Sequence, residues 1–290
     1  MSTGSGRNVW LKVEAMQPPG SFKLRGIGFA CQEYARRGAE RFISSSGGNA
    51  GIAVAWSGRR LGVPVVVVVP ETTTARAIAL IEQEDAEVVV HGTSWAEANA
   101  LAESMVTGRD AMLHPFDDPL LWRGHASLVD EVVGSGEKPD AIILSVGGGG
   151  LLSGVVEGLR RHAWTDVSVV AVETEGADSL ARSMKAGRLV TLDAITSIAT
   201  SLGAKQVAER AFRCAQEHPV RSVVVSDQAA AQACEKLVDD HRLVVEPACG
   251  ASLAAVYDDA PELADFESVL VVVCGGVTAT VEQIRAWAGR

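Results

Sequence analysis

Lys23 sits where an amine could do chemistry. In QPPGSFKLRGIG, residues 17–28, a Pro-Pro-Gly turn presents Ser21, Phe22 and Lys23 ahead of a helix-like segment. An amine held beside an aromatic ring can attack a carbonyl or take a proton. A solvated loop lysine is the plain alternative, and the other motifs weigh against it. Three glycine-rich stretches sit at strand-to-helix switches: ISSSGGNAGIA (43–53), ILSVGGGGLLSG (143–154) and VVVCGGVTAT (271–280). Gly147, Gly148, Gly149 and Gly150 cost backbone entropy. In return their N–H groups can close around an anion, helped by the positive end of the following helix. A phosphate is the natural guest, and a flexible turn is the alternative. SSSGGNAG offers hydroxyls, an amide and free N–H groups that suit a carboxylate or other small anion. Its plain alternative is a cap for the helix expected over 50–61.

Cys274 closes a run of four valines and a leucine just before Gly-Gly. It reads as a small core residue, or as a weak neutral partner for the edge of a flat ring. Glu173 ends the strand after the tetraglycine, where a dinucleotide fold puts its ribose-binding acid. The glycine spacing argues against that fold, because Leu152 stands where G-x-G-x-x-G needs its third glycine. No Gly-Lys-Ser/Thr follows, which excludes a P-loop. The six histidines lack HExxH or paired metal spacing, and His125 in RGHASLV reads as a helix-start residue. No G-x-S-x-G elbow is present, which argues against a serine hydrolase.

The elements that must position these groups alternate. Short Val/Ile-rich runs at 63–69, 86–90, 140–146, 167–172, 222–226 and 268–274 lack period-two alternation, as strands buried on both faces do. Helices are expected over 50–61, 75–84, 94–106, 124–133, 151–162, 204–217, 228–240 and 278–287. This alternation predicts an α/β fold. Two blocks follow: 28–118, with two strand-helix units and the turn-rich HPFDDP at its end, and 119–290, with four more strands, joined by 1–27.

The 290 residues allow one large domain or two smaller ones. A net charge of -10 argues against a nucleic-acid partner. No apolar run approaches the ~20 residues of a membrane helix, and the polar start MSTGSGRN lacks the apolar core of a secretory leader. Five cysteines without CxxC spacing suit reduced thiols in the cytoplasm.

Together PPGSFKLRG, SSSGGNAG, PFDDPLLWRGHAS, SVGGGGLLSGV, VETEGADS and VEPACGASLAAVY resemble the catabolic L-serine/L-threonine dehydratases of fold type II, from about residue 9 to 288. The resemblance implies two open, mostly parallel sheets flanked by helices, as in the tryptophan synthase β-like fold. It implies pyridoxal phosphate linked to Lys23, with Phe22 and Ser201 on the two ring faces. Gly147–Gly150 with Leu151 would hold the phosphate, Asn49 the phenolic oxygen, and Cys274 the pyridine nitrogen. Ser45, Ser46, Gly47, Asn49 and Ala50 would line the place of the substrate carboxylate. Glu173 with the carbonyls of Gly147, Ala177, Leu202 and Ala204 would hold a monovalent cation, K+. The implied reaction is β-elimination of L-serine to pyruvate and ammonia, with threonine giving 2-oxobutyrate, in a homodimer. Racemase and β-replacement enzymes share the fold. Gly47, where a racemase would carry a hydroxyl, argues against the former and leaves the pocket roomier than an alanine would. A weakly catalytic, cofactor-binding regulatory homologue is a further alternative. Family members usually begin with a segment containing Thr-Pro-Leu, whereas this chain starts almost at the strand VWLKVE.

Overall fold

The computed structural model describes residues 6–289; Met1–Ser5 and Arg290, which fall within the outer block expected from sequence, lie outside the described residues. In chain order the elements are β1 (Asn8–Val13), α1 (Lys23–Arg36), β2 (Arg41–Ser44), α2 (Asn49–Leu61), β3 (Val65–Val69), α3 (Ala75–Glu82), β4 (Glu87–Val90), α4 (Trp95–Ser104), β5 (Asp110–Leu113) and α5 (Pro119–Gly134). There follow β6 (Ala141–Ser145), α6 (Gly150–Arg161), β7 (Ser168–Thr174), α7 (Ser179–Ala186), α8 (Glu209–Glu217), β8 (Val220–Val225), α9 (Asp227–His241), α10 (Pro247–Tyr257), β9 (Ser268–Val273) and α11 (Val281–Trp287). They form two sheets, ordered β1-β9-β6-β7-β8 and β4-β3-β2-β5. Every strand pairing within them is parallel. The expected α/β class with two parallel sheets is the observed one.

The reason lies in the strands. β3, VVVVV, and β6, AIILS, are buried along their whole length. Each valine or leucine taken from water contributes roughly 1.5–3 kcal/mol, and covering both faces requires helices. The larger sheet has its own apolar core, running from Val9 through Ile143, Val170 and Val271. The smaller sheet packs around Phe42, Val67 and Ile43.

Four elements escaped the sequence pattern. β2, RFIS, and β5, DAML, hold four residues each and present no apolar run. The two strand-helix units expected in 28–118 therefore become four strands. α7 spans only eight residues. α10 is buried from Pro247 to Val256, so it shows no apolar stripe. The helix expected from 204 begins at Glu209. The helix expected from 124 begins at Pro119, capped by the Asp118 side chain. His125 is thus not a helix-start residue. It lies inside α5, 1% exposed, and neither ring nitrogen has a hydrogen-bond partner among the described residues. The 27/28 block boundary falls inside α1.

One buried ion pair fixes the start of α1. The Arg25 guanidinium donates through Nε to Glu14 Oε2 at 2.7 Å and through Nη2 to Glu14 Oε1 at 2.8 Å. It also donates through Nη2 to Glu131 Oε2 at 2.7 Å. A forked pair of this kind is directional, and it lies two residues beyond Lys23.

Candidate active site

The singled-out groups gather at the carboxyl ends of the strands, where parallel sheets place ligands. The turn before Lys23 docks on the end of β9. Phe22 N donates to Cys274 O at 3.0 Å, Gly276 N donates to Gly20 O at 3.1 Å, and Ser21 bridges Gly275. Lys23 opens α1 and is half-buried. Its Nζ donates to Pro115 O at 2.5 Å and lies 5.3 Å from the centre of the Phe22 ring. Burial pushes the amine down to about 8, against the opposing pull of Cys274 and Glu246. The Cys274 thiol is driven well above its ordinary value, first by its hydrogen bond with Cys249 and then by burial. It therefore stays neutral at physiological pH. All five cysteines are free and buried.

The tetraglycine joins β6 to α6. The backbone N–H groups of Gly147, Gly148, Gly149, Gly150, Leu151 and Leu152 donate to no other described residue. These are the orphan donors of a helix start, extended backwards through the loop. Gly149 has φ +87, a conformation that glycine adopts without strain. A Cβ on Gly148 would lie 2.2 Å from the Phe116 ring, so that ring walls one side of the loop. A Cβ on Gly147 would lie 3.0 Å from Ser201 O and 2.9 Å from Leu202 Cα. The segment carrying Ser201 thus runs along the other side.

The Ser/Asn loop follows β2. Gly48 is the N-cap of α2, with no side-chain cap, so the plain capping alternative does not hold. Among the described residues, the N–H groups of Asn49 and Ala50 find no acceptor. The Ser46 hydroxyl accepts from Gly48 N at 3.4 Å. Ser45 donates its hydroxyl to Asn99 Oδ1 at 2.6 Å, which leaves its backbone N–H for any carboxylate. Gly47 does not leave open space. A Cβ there would meet Thr73 Cγ2 at 2.7 Å and Oγ1 at 2.8 Å. The loop after β3 folds Thr73 over Gly47, so an alanine there would fit only by displacing Thr73.

Asn49 Nδ2 donates to Glu246 Oε1 at 2.8 Å, while Asn49 Oδ1 is buried without a partner among the described residues. Glu246 is 7% exposed, and burial pushes its carboxyl up to about 7. Glu173, fully buried at the end of β7, is pushed up to about 7 for the same reason. Its Oε1 accepts from Leu180 N at 2.8 Å and its Oε2 from Ala181 N at 2.7 Å, at the start of α7. A carboxylate turned toward a helix start is not offered to a ribose. Of the proposed carbonyl ligands, Gly147 and Leu202 lie side by side, and Leu202 O accepts from Ala204 N at 2.7 Å. Ala177 N donates to Thr174 O at 2.9 Å. Among the described residues no group of three or more His, Cys, Asp or Glu could hold a metal.

Sequence reasoning missed Glu246, Phe116, Thr73 and Cys249. Glu246 alone carried a signal: an acid immediately before the first proline of a stretch of small buried residues, VEPACGAS. Phe116 and Thr73 reach the site through loop folding that no pattern records, and Cys249 through α10, whose complete burial hides its periodicity.

The Pyridoxal-phosphate dependent enzyme family matches residues 1–275. The chain is 48% identical to the L-serine dehydratase/L-threonine deaminase of Homo sapiens, over 99% of this chain and 90% of that protein. It is 41% identical to the L-serine dehydratase of Dictyostelium discoideum, over 96% and 84%. The crystal structure of a fungal L-serine ammonia-lyase from Rhizomucor miehei superposes with TM-score 0.93 at 35% identity, covering 99% of this chain and 94% of that one. The structure fits the cofactor that the family name implies. Six free backbone N–H groups suit an anionic tail, the second N–H of the Asn49 carboxamide suits a ring substituent, and a half-buried amine lies beside an aromatic face and near a neutral thiol. The chain belongs to the pyridoxal-phosphate dependent enzyme family, alongside the L-serine dehydratase/L-threonine deaminases that it matches.

Proposed function

We propose that this chain is an ammonia-lyase that converts L-serine to pyruvate and ammonia, and L-threonine to 2-oxobutyrate and ammonia. The observation that carries the reading is the meeting of the Lys23 amine, the free N–H groups of Gly147–Leu151 and the bare start of α2 at one set of strand ends. Bound pyridoxal phosphate withdraws electrons from the substrate's α-carbon and so acidifies its C–H bond. The loop amides would hold the cofactor's phosphate, the second Asn49 N–H its phenolic oxygen, and Phe22 and Ser201 its two faces. The neutral Cys274 thiol would meet the pyridine nitrogen without protonating it. The N–H groups of Asn49 and Ala50, with Ser46 and the backbone of Ser45 and Gly47, would orient the substrate carboxylate. With its amine near 8, Lys23 is partly neutral at physiological pH, so Nζ can accept the Cα proton. The same Nζ can then deliver a proton to the departing β-hydroxyl, which leaves poorly as hydroxide. A monovalent cation, K+, at Glu173 would offset the cost of burying that carboxylate.

The reading includes a two-lobe division at 28–118 against 1–27 and 119–290, a homodimer and a cytoplasmic setting. Free buried thiols and the lack of a membrane-length apolar helix among the described residues support the setting. One observation favours serine racemisation as a second reading, because Thr73 brings a hydroxyl next to Gly47. Incubating the holoenzyme with L-serine tests both. Pyruvate formed by wild type and lost in Lys23→Ala supports elimination. D-serine as the main product, or undiminished pyruvate from Lys23→Ala, contradicts it.

A further inference from the structure

We infer that Glu246 is a positioning residue, whose carboxylate fixes the Asn49 carboxamide and thereby ties the small-sheet anion loop to the strand ends of the large sheet. The inference rests on the proposed cofactor reading and adds to it a group outside the implied ligand set. Glu246 is the N-cap of α10. Its backbone N donates to Gly275 O at 3.3 Å, next to the Cys274 carbonyl that receives Phe22 N. Its side chain meets Asn49 Nδ2 at 2.8 Å through Oε1 and the Thr278 hydroxyl at 3.4 Å through Oε2. The Ser201 hydroxyl faces the same carboxylate, and the Lys23 amine lies close enough to pull on its charge. Gly276, at φ +126, brings bare backbone against it, since a Cβ there would lie 2.3 Å from Glu246 Cγ. The carboxylate is thus enclosed by four segments, carrying Lys23, Asn49, Ser201 and Thr278.

Among the described residues, the Asn49 side chain has no other hydrogen-bond partner. Its Oδ1 is buried and unsatisfied, and only the contact with Glu246 sets which way the amide points. The acceptor oxygen Oε1 takes the Nδ2 end of the amide. That choice leaves one Nδ2 hydrogen and Oδ1 for whatever occupies the site. A free amide would sample both orientations, and a bound ring would have to freeze one of them.

Length and charge can be separated in two mild variants. Glu246→Gln keeps the reach and an acceptor oxygen but loses the charge. Glu246→Asp keeps the charge but withdraws it by one methylene. The assay is pyridoxal phosphate affinity of each full-length variant, by absorbance titration after equilibrium dialysis, alongside Asn49→Ala and the Asn49→Ala/Glu246→Asp pair. The expected result is affinity within about threefold of wild type for Glu246→Gln, which keeps the acceptor in place, and a loss of about tenfold for Glu246→Asp, the scale of one lost hydrogen bond. Adding Glu246→Asp to Asn49→Ala should cost nothing further. Equal affinities in the two Glu246 variants, the reverse order, or additive losses in the pair overturn the inference. Failure of wild type itself to retain the cofactor instead strikes the functional reading beneath it.

Discussion

Replacing Gly47 by alanine tests how tightly the anion loop is closed. The new Cβ would sit 2.7 Å from Thr73 Cγ2 and 2.8 Å from Thr73 Oγ1. Ordinary carbon contacts begin near 3.4 Å, so Thr73 must retreat by about 0.7 Å. Overpacking of this kind costs roughly 1–3 kcal/mol. Thr73 is half-buried on a short loop between β3 and α3 and can move, so the lower end, about 1 kcal/mol, applies. Thr73→Ala removes both clashing atoms and leaves only its Cβ, at 3.3 Å. The Gly47→Ala penalty should therefore nearly vanish in the Thr73→Ala background, a coupling of about 1 kcal/mol. Urea unfolding of wild type, both single variants and the double variant measures it. Additivity within about 0.3 kcal/mol would refute the contact.

Three further outcomes follow from buried groups. Glu14→Ala removes the forked pair and leaves Arg25 paired with Glu131, which should cost about 1.5–3 kcal/mol in urea unfolding, the scale of hydrogen bonds to a charged group. Glu173, pushed up to about 7 in the fold, keeps its proton where the unfolded chain has lost it. Folding then binds an extra proton between about pH 4.5 and 7, and this group's contribution to stability falls as pH rises through that window. K+ at the carboxylate should cancel the fall, so KCl should raise the melting temperature more at pH 8 than at pH 5, relative to tetramethylammonium chloride. An equal rise at both pH values speaks against the cation site. The five buried thiols should react with a disulfide reagent only after denaturation, and fast labelling of Cys274 in the native protein would contradict its enclosure.

The sequence disclosed what depends on local composition. The all-valine β3, the apolar β6 and β9 and the tetraglycine announce themselves, because burial on both faces and a free-amide loop each demand particular residue types. Lys23, Asn49, Cys274 and Glu173 were legible because each stands where a strand meets a turn or helix. β2 and β5 were not, since four residues with polar ends draw their stability from neighbouring strands rather than from a pattern of their own. α10 was hidden because complete burial of small residues removes the periodicity that marks a helix. Phe116 and Thr73 enter the site from loops whose paths are set by tertiary packing. His125 misled because RGHASLV gives no sign that α5 has already begun at Pro119.

The central claim is that Lys23 carries the cofactor. Borohydride reduction of the holoenzyme, followed by proteolysis and mass spectrometry, tests it most directly. The account predicts a phosphopyridoxyl adduct on the peptide containing Lys23, and none on Lys23→Ala. An adduct on Lys12, Lys138, Lys185, Lys205 or Lys236 in place of Lys23, or no adduct on the wild-type chain, contradicts it.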